Sequence, residues 1–270
     1  MGDYDPRIVS LYDQDNPDGP DHDFYRDRAD HLAPRTIIDL GCGTGMLTVT
    51  LRRPERTVVG IDPSQSMLDV ATQRPGGQGV RWVRGDASSI AHGCADLMVM
   101  TGNVAQHIVG EAWSAALRDV YAGLRSSGRL IFESRNPAAR AWEQWATEAR
   151  NTRETALGNV TEWMEVEPMT QDGHVSFVSH NIFEWSGERL VERQTLAFRN
   201  EDRIRSDLAD TGFHIEEVWG GWNYESLGAG STLMVFQAQR LSLEPPAHWS
   251  NQARRCIDDV RVTARLLSTA

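Results

Sequence analysis

The sequence predicts an α/β fold, a doubly wound and mostly parallel sheet of seven strands with an inserted antiparallel β-meander. Short runs that are apolar on both faces alternate with amphipathic helical segments, which is typical of a parallel sheet covered by helices on both sides. After residue 137 the pattern changes to long alternating segments separated by Gly turns, which indicates antiparallel hairpins.

Composition limits the classes of function. The 270-residue chain has a formal net charge of -11, and all 27 of its basic residues are Arg. Because nucleic-acid binding depends on clustered basic side chains, this balance disfavours a nucleic-acid partner. The absence of Lys excludes Schiff-base chemistry and the lysine of a phosphate-binding P-loop.

The cysteines and the hydropathy pattern set the expected location. Cys42, Cys94 and Cys256 are scattered, so the sequence predicts no disulfide framework and no metal site. The charged N-terminus lacks the apolar region of a secretory signal, and no apolar run approaches the roughly 20 residues that span a bilayer. We therefore expect a cytoplasmic protein with no membrane partner.

The first half of the chain repeats strand, turn and helix. A helix predicted over residues 22–32 ends before Pro34. Further helices are predicted over Met46–Leu51, after the capping residue Ser64, and over the apolar stripe Trp113–Leu124, with Gly128 as the C-cap glycine of the last one. The predicted strands are Thr36–Leu40, Thr57–Ile61, Val80–Val83, Asp96–Met100 and Leu130–Phe132.

The second half begins with the insert. A short helix around Trp142 and Trp145 precedes three alternating segments with Asp172-Gly173 and Ser186-Gly187 as turns between them. A helix over residues 200–211, closed by Gly212, leads to two final strands. The three alternating segments are Val160–Glu167, His174–Trp185 and Leu190–Phe198. The two final strands are Phe213–Trp219 and Leu233–Ala238.

These patterns divide the chain into three parts. Residues 1–137 and 200–240 form the core with an N-terminal lid, and residues 138–199 form a substrate-side cap of one helix and three strands. Residues 241–270 form a helical tail, in which Ala253, Ile257 and Val260 share one stripe. That stripe either covers part of the core or joins two chains in a homodimer.

A glycine-rich turn carries the main chemical signal. It follows the first strand and opens a helix, as a turn does where a ligand approaches the backbone closely. Free N–H groups at a helix start favour a negative group such as a carboxylate or phosphate. Asp39 stands two positions before the first glycine, and Asp62 ends the next strand.

The motifs resemble a known family. The stretch IIDLGCGTG followed by VVGIDPS resembles the first two motifs of class I S-adenosylmethionine-dependent methyltransferases, and VRGDASSI, TGNVAQHI and RLIFESRNP continue it in order. The resemblance covers residues 35–137, and residues 200–240 resemble the closing helix and β-hairpin. It implies a Rossmann-like sheet of order 3-2-1-4-5-7-6, with S-adenosyl-L-methionine as cofactor and S-adenosyl-L-homocysteine as product.

The resemblance also implies cofactor contacts. The turn would pass under the methionine part, and Asp39 would contact its amino group. Asp62 would accept hydrogen bonds from both ribose hydroxyls, because a carboxylate offers two acceptor oxygens; its alternative role is to cap the following helix. The turn residues that the resemblance places against the cofactor are Gly41, Cys42, Gly43 and Gly45.

Two further positions are implied on the neighbouring strands. Asp86, with the backbone N–H of Ala87, would bind the adenine edge, although Asp86 is also a good turn residue. Thr101 and Asn103, which follow the fourth strand, would lie near the methionyl and methyl groups.

Candidates on the acceptor side follow from position. His107 is the candidate general base, with a helix-start histidine bonded to backbone as the alternative. Glu133 and Arg135 either face the acceptor or pair with each other. Tyr12 is a candidate lid over the sulfonium, since an aromatic face attracts a cation.

The loop between the last two strands offers a further acceptor-side candidate. Trp222 and Tyr224 either line an apolar substrate cavity or pack the insert onto the core.

Four functions fit the glycine turn. The favoured one is methyl transfer to N or O of a small-molecule acceptor. A nucleic-acid methyltransferase is disfavoured because TGNVAQH lacks the Pro pair of DNA amino methylators. An NAD-dependent dehydrogenase needs G-x-G-x-x-G, and here Met46 occupies the slot of the third glycine. A non-catalytic S-adenosylmethionine-binding protein would carry the same residues.

Overall fold

The computed structural model describes residues 3–241, which contain a seven-stranded sheet and a separate four-stranded sheet. The predicted helical tail lies outside the described residues, apart from Leu241. The helices are α1 Pro6–Asp15, α2 Pro20–Leu32, α3 Met46–Thr50, α4 Gln65–Gln73, α5 Val104–His107, α6 Glu111–Gly123, α7 Ala141–Trp145 and α8 Glu201–Thr211. The strands are β1 Thr36–Leu40, β2 Thr57–Asp62, β3 Arg81–Arg84, β4 Ala95–Met100, β5 Leu124–Arg135, β6 Asn151–Thr155, β7 Gly158–Val166, β8 His174–Phe183, β9 Glu188–Ala197, β10 Phe213–Trp219 and β11 Leu233–Arg240.

The larger sheet has the predicted order. Its strands run β3-β2-β1-β4-β5-β11-β10, and β11 is antiparallel to both β5 and β10. The other pairs are parallel, with Ile38 in register with Val59 on one side and Met98 on the other. The predicted α/β class and doubly wound, Rossmann-like topology are therefore confirmed.

Both faces of this sheet are buried, which explains why its central strands are apolar throughout. On one face Trp113 and Val120 of α6 and Leu208 of α8 pack in a single buried cluster with the sheet. On the other face Phe24 of α2 and Leu47 of α3 do the same. The carboxyl ends of β1, β2 and β4 are left facing one edge, where open α/β sheets bind ligands.

Three details of the prediction are wrong. The insert has four strands, because β6 pairs with β7, and its sequence NTRET carries no apolar alternation to reveal it. The acidic N-terminal segment contains a further helix, α1, which starts at the N-cap Asp5 and Pro6. Gly128 is not a C-cap, since α6 ends at Gly123 and Gly128 lies within β5.

The four-stranded sheet presents one face to the helices α1 and α7, and we call it the inner face. At one end of this face Val160 and Phe183 pack with Leu11 of α1. At the other end Phe177 and Leu196 pack with Trp142 of α7. The insert is thus attached through two separate apolar contacts.

No helix within the described part of the chain is both long and apolar enough to cross a membrane.

The close packing of the glycine turn can be tested by substitution. A Cβ on Gly45 would lie 2.5 Å from the Trp82 ring, and Gly45 has φ of +74°. Gly187, with φ of +71°, has nothing within 4 Å of such a Cβ. Gly45→Ala should lower the free energy of unfolding by about 1–3 kcal/mol more than Gly187→Ala does, because the backbone strain is shared and only the clash differs.

Denaturant titration of both variants measures this difference. Equal losses of stability in the two variants would show that the Trp82 ring can move to admit the added methyl group without a loss of stability.

Candidate active site

The glycine turn is held against β2 by its backbone. The N–H groups of Gly41 and Cys42 both donate to the carbonyl of Ile61, at 2.7 and 3.1 Å. Gly41 has φ of +78°, and a Cβ there would lie 2.4 Å from Val104. Only glycine fits this position, because both the backbone conformation and the contact with α5 exclude a side chain.

Asp62 joins the turn to the next helix. Its Oδ2 accepts from the N–H of Gly43 at 2.9 Å, and its Oδ1 accepts from the N–H of Ser64 at 2.8 Å. Each oxygen retains a second lone pair, and the residue lines the main cavity of this region. The capping and ligand-facing roles are therefore compatible, and burial raises the pKa of this carboxyl.

Asp39 supplies a buried acceptor without a partner. Its Oδ2 accepts from the Thr48 hydroxyl at 2.6 Å, while its Oδ1 is buried with no hydrogen-bond partner among residues 3–241. Burial raises the pKa of this carboxyl to about 7, because an ionised group loses hydration there. Asp39 does not itself line the cavity described next, but its orphan oxygen lies directly before the lining residues Leu40 and Gly41 and has the chemistry to accept from a cationic amino group.

A cavity of about 460 Å³ begins at this turn. It runs past Asp62 to Asp86 and Ala87, and onward along one side of α6. The Asp86 Oδ1 accepts from the N–H and hydroxyl of Ser88, at 3.0 and 2.6 Å, so it caps a short turn as well as facing the cavity. The volume lies within the range of small-molecule sites, which is about 300–1,000 Å³.

The N-terminal segment contributes two tyrosines to the cavity wall. Tyr12 lines it, and a Cβ on Gly43 would meet the Tyr12 ring at 3.7 Å. Tyr4 also lines the cavity, and burial raises the pKa of the Tyr12 phenol to about 12. Asp13 fixes α1 to the turn, since its Oδ1 accepts from the Thr44 hydroxyl at 2.5 Å.

Sequence analysis did not assign Tyr4 or Asp13 to the site. Asp3 likewise accepts from the Ser64 hydroxyl at 2.6 Å, across a separation of 61 residues. No local motif marks such contacts, and the only available signal is the concentration of Asp and Tyr in the N-terminal segment that is predicted to form a lid.

Several predicted cofactor residues lie behind the cavity wall. Cys42 is buried, and its Sγ would be 2.9 Å from a Cβ on Gly60, so it packs between strands. Gly45 contacts Trp82, as described above. Asn103 adopts φ of +61° and donates its N–H to Glu133, while Thr101 is not among the lining residues.

Glu133 and Arg135 do not pair with each other, as one of the two predicted alternatives required. The buried Glu133 accepts from the Tyr25 hydroxyl and from the N–H of Asn103, and burial raises the pKa of its carboxyl to about 7. Arg135 donates to the Gln106 side chain at 3.1 Å and lies over the Trp145 ring at 5.1 Å. Both residues therefore support the loop after β4 rather than line the cavity.

Trp222 and Tyr224 also lie away from the cavity. Their rings are 5.7 and 5.0 Å from that of Phe24, in an aromatic cluster that includes Trp219. The Tyr224 hydroxyl donates to Asp27 of α2. Aromatic packing thus ties this loop to α2 and not to the insert, and the substrate role of the two residues stays a prediction.

His107 lines the cavity at the end of α5. Its Nδ1 is buried without a hydrogen-bond partner among residues 3–241, so the alternative of a backbone-bonded histidine is not seen. Burial and the nearby Arg135 charge lower the pKa of His107 to about 4. The imidazole is therefore neutral near pH 7 and can accept a hydrogen bond from a ligand.

The sheet order, the glycine turn after β1 and the carboxylate at the end of β2 define the fold of class I S-adenosylmethionine-dependent methyltransferases. Residues 37–128 match the family model described as methyltransferase domain.

One curated relative is a trans-aconitate 2-methyltransferase of Acidovorax sp. (strain JS42). It is 32% identical over 114 residues, which cover 42% of this chain and 43% of the relative. The match thus spans less than half the length of that relative.

Two solved structures share the fold over most of the chain. One is an S-adenosylmethionine-dependent methyltransferase from Clostridium acetobutylicum, with a TM-score of 0.69 and 18% identity over 87% of this chain and 98% of that one. The other is CalS10, an amino pentose methyltransferase from Micromonospora echinaspora solved with S-adenosylmethionine, with a TM-score of 0.62 and 18% identity over 89% and 99%. Identities this low show the fold alone.

The raised pKa of Asp39 predicts a pH dependence of ligand affinity. A cationic amino group binds the ionised carboxylate, whose fraction falls as pH drops through about 7. The affinity for S-adenosylhomocysteine should therefore be highest above pH 7 and decrease by up to about tenfold per pH unit below it. Calorimetric titration from pH 5.5 to 8.5 measures this.

Two variants separate the contributing carboxyls. Asp39→Asn should remove the pH dependence of the affinity. Glu133→Gln should retain it, because the Glu133 oxygens already accept hydrogen bonds from Tyr25 and Asn103. An unchanged profile in Asp39→Asn would mean that its orphan oxygen does not contact the ligand.

Proposed function

We propose that this chain transfers a methyl group from S-adenosyl-L-methionine to a nitrogen or oxygen atom of a small-molecule acceptor. The observation that carries the proposal is the cavity that joins the glycine turn, the Asp62 carboxylate and the Asp86–Ala87 turn. The matching domain family and the acceptors named in two similar proteins, trans-aconitate and an amino pentose, support a small acceptor.

The residues present fit the cofactor. The orphan Oδ1 of Asp39 would accept from its amino group, and the free lone pairs of Asp62 would accept from its ribose hydroxyls. The backbone at Gly41 and Gly43 would lie against its methionyl part, since both glycines line the cavity. Asp86 with the Ala87 N–H would bind the adenine.

The chain's own part in the reaction is positioning and exclusion of water. When bound, S-adenosylmethionine supplies a methyl group already activated by its sulfonium, so the protein need only align the acceptor. Tyr4 and Tyr12 line the cavity and would help to keep water from the bound methyl donor. A neutral His107 can accept a hydrogen bond from the acceptor and hold it in line.

The cavity dimensions also favour a small acceptor over a nucleic acid. Tyr4 and Tyr12 of the N-terminal segment line the cavity, and the four-stranded sheet packs on α1 through Leu11. A volume of about 460 Å³ accommodates a cofactor and a small acceptor.

Substitution of Asp62 tests the cofactor site. Asp62→Asn keeps the shape but removes the charge, and charged hydrogen bonds contribute about 1.5–3 kcal/mol. The affinity for S-adenosylhomocysteine should fall at least about tenfold. Asp69→Asn on α4, where Asp69 bonds only the exposed Gln65, is the matched control.

Two outcomes of this titration would contradict the proposal. If Asp62→Asn lowers the melting temperature and leaves the affinity for S-adenosylhomocysteine unchanged, Asp62 only caps the following helix and does not bind the cofactor. If wild-type protein binds NAD and not S-adenosylhomocysteine, the chain is a dinucleotide-binding protein instead.

Substitution of His107 tests its contact with the acceptor. With an acceptor found by screening amines and alcohols for methyl uptake, His107→Gln should lower kcat by roughly a hundredfold if His107 takes the acceptor proton. The affinity for S-adenosylhomocysteine should stay nearly constant. An unchanged kcat would remove His107 from the reaction.

A further inference from the structure

The short helix α5 carries His107 to the cavity. It comprises only Val104–His107, and no side chain caps its first turn. A helix of one turn is not stable through its own hydrogen bonds, because nucleation of a helix is unfavourable. The position of His107 therefore depends on the groups that bind α5 from outside.

Arg199, the last residue of the insert, binds the carboxyl end of α5. Its Nη1 donates to the carbonyl of Ala105 at 2.8 Å, and its Nη2 donates to the carbonyl of Ile108 at 2.5 Å. The last carbonyls of a helix have no partner within that helix, so the guanidinium supplies hydrogen bonds that α5 cannot form by itself. The two carbonyls belong to residues on either side of His107 in the sequence.

The Arg199 guanidinium is itself held in place. It lies over the ring of the buried Trp113 of α6, with 4.5 Å between its central carbon and the ring centroid. The Trp113 indole N–H in turn donates to Asp207 of α8 at 2.9 Å. Burial lowers the pKa of Arg199 to about 10, so the group stays charged near pH 7. Its planar fork can bind two carbonyls in one fixed geometry, which a Lys ammonium does not offer.

A second side chain connects α5 to the insert. The Gln106 side chain is fully buried, and its Nε2 donates to the carbonyl of Ala197 at 3.4 Å. Its Oε1 accepts from Arg135 of β5 at 3.1 Å. The end of the insert thus contacts α5 at Ala197 and Arg199, while the core contacts it at Arg135.

The His107 ring depends on this backbone for its direction. Its Nδ1 is buried without a hydrogen-bond partner among residues 3–241, and the residue lines the cavity. Arg199 is not one of the lining residues. It can therefore affect a ligand in the cavity only through α5.

We propose that Arg199 is a positioning residue, which fixes the His107 imidazole in the cavity by binding the carbonyls of Ala105 and Ile108. The kinetic consequence of this inference rests on the proposed function, whereas the placing of His107 does not. The insert, predicted as a substrate-side cap, thereby supplies a residue that holds the candidate general base.

NMR titration of the full chain tests the placing of His107, with its signal assigned by comparison with His107→Gln. In the wild-type protein the signal should not titrate between about pH 5.5 and 8.5, because burial and the Arg135 charge hold the pKa of His107 at about 4. Arg199→Ala should release α5, let water reach the ring and raise the pKa of His107 into that range. Arg199→Lys keeps the charge without the planar fork and should shift the pKa in the same direction.

Arg205→Ala is the matched control, because Arg205 lies on α8 and pairs with Glu201. It should keep the wild-type titration of His107. An unchanged titration in every Arg199 variant that folds, or an equal shift in Arg205→Ala, would overturn the assignment.

A double-mutant cycle separates positioning from a purely structural role. With an acceptor found by the methyl-uptake screen, Arg199→Lys should lower kcat about tenfold and leave the affinity for S-adenosylhomocysteine nearly constant. In the His107→Gln background the same change should lower kcat little further, because two residues that act as one unit have non-additive effects. Independent losses that multiply in the double variant would show that Arg199 does not act through His107. Failure of the wild-type protein to bind S-adenosylhomocysteine would contradict the proposed function, and the NMR titration would still decide whether Arg199 places His107.

Discussion

The parallel pairing of β1 with β2 is the constraint on which the site depends. It brings the carbonyl of Ile61 under the N–H groups of Gly41 and Cys42, and it brings Asp62 to the N–H of Gly43. Because the carboxyl ends of parallel strands meet at one edge, a residue 19 positions away completes the turn.

Two buried carboxylates lie near this edge of the sheet. Asp39 and Glu133 are both buried, and burial raises both of their pKa values to about 7. They differ in what they do with their oxygens: Glu133 uses them to hold Tyr25 and Asn103, while Asp39 keeps one free. The first arrangement stabilises the loop after β4, and the second is suited to a ligand.

The sequence was sufficient for the larger sheet because periodicity and turn glycines are local signals. Asp39, the glycines and Asp62 stand in one short stretch, so their grouping could be predicted before the structure. Contacts such as that between Glu133 and Tyr25, 108 residues apart, leave no local signal, and Glu133 was assigned to the acceptor on position alone. The polar strand β6 was missed for the same reason, since pairing with β7 and not hydrophobic alternation makes it a strand.

Helix α1 is bound differently on its two sides. Toward the four-stranded sheet it contributes Leu11 to an apolar cluster, whereas toward the glycine turn it is held by the polar contact between Asp13 and Thr44. The Asp13 carboxylate also pairs with Arg74, and charged hydrogen bonds contribute about 1.5–3 kcal/mol, which is comparable with burial of a Leu side chain. Helix α1 therefore connects the insert to the glycine turn, so that a change in one of these two regions is transmitted to the other through a single rigid segment.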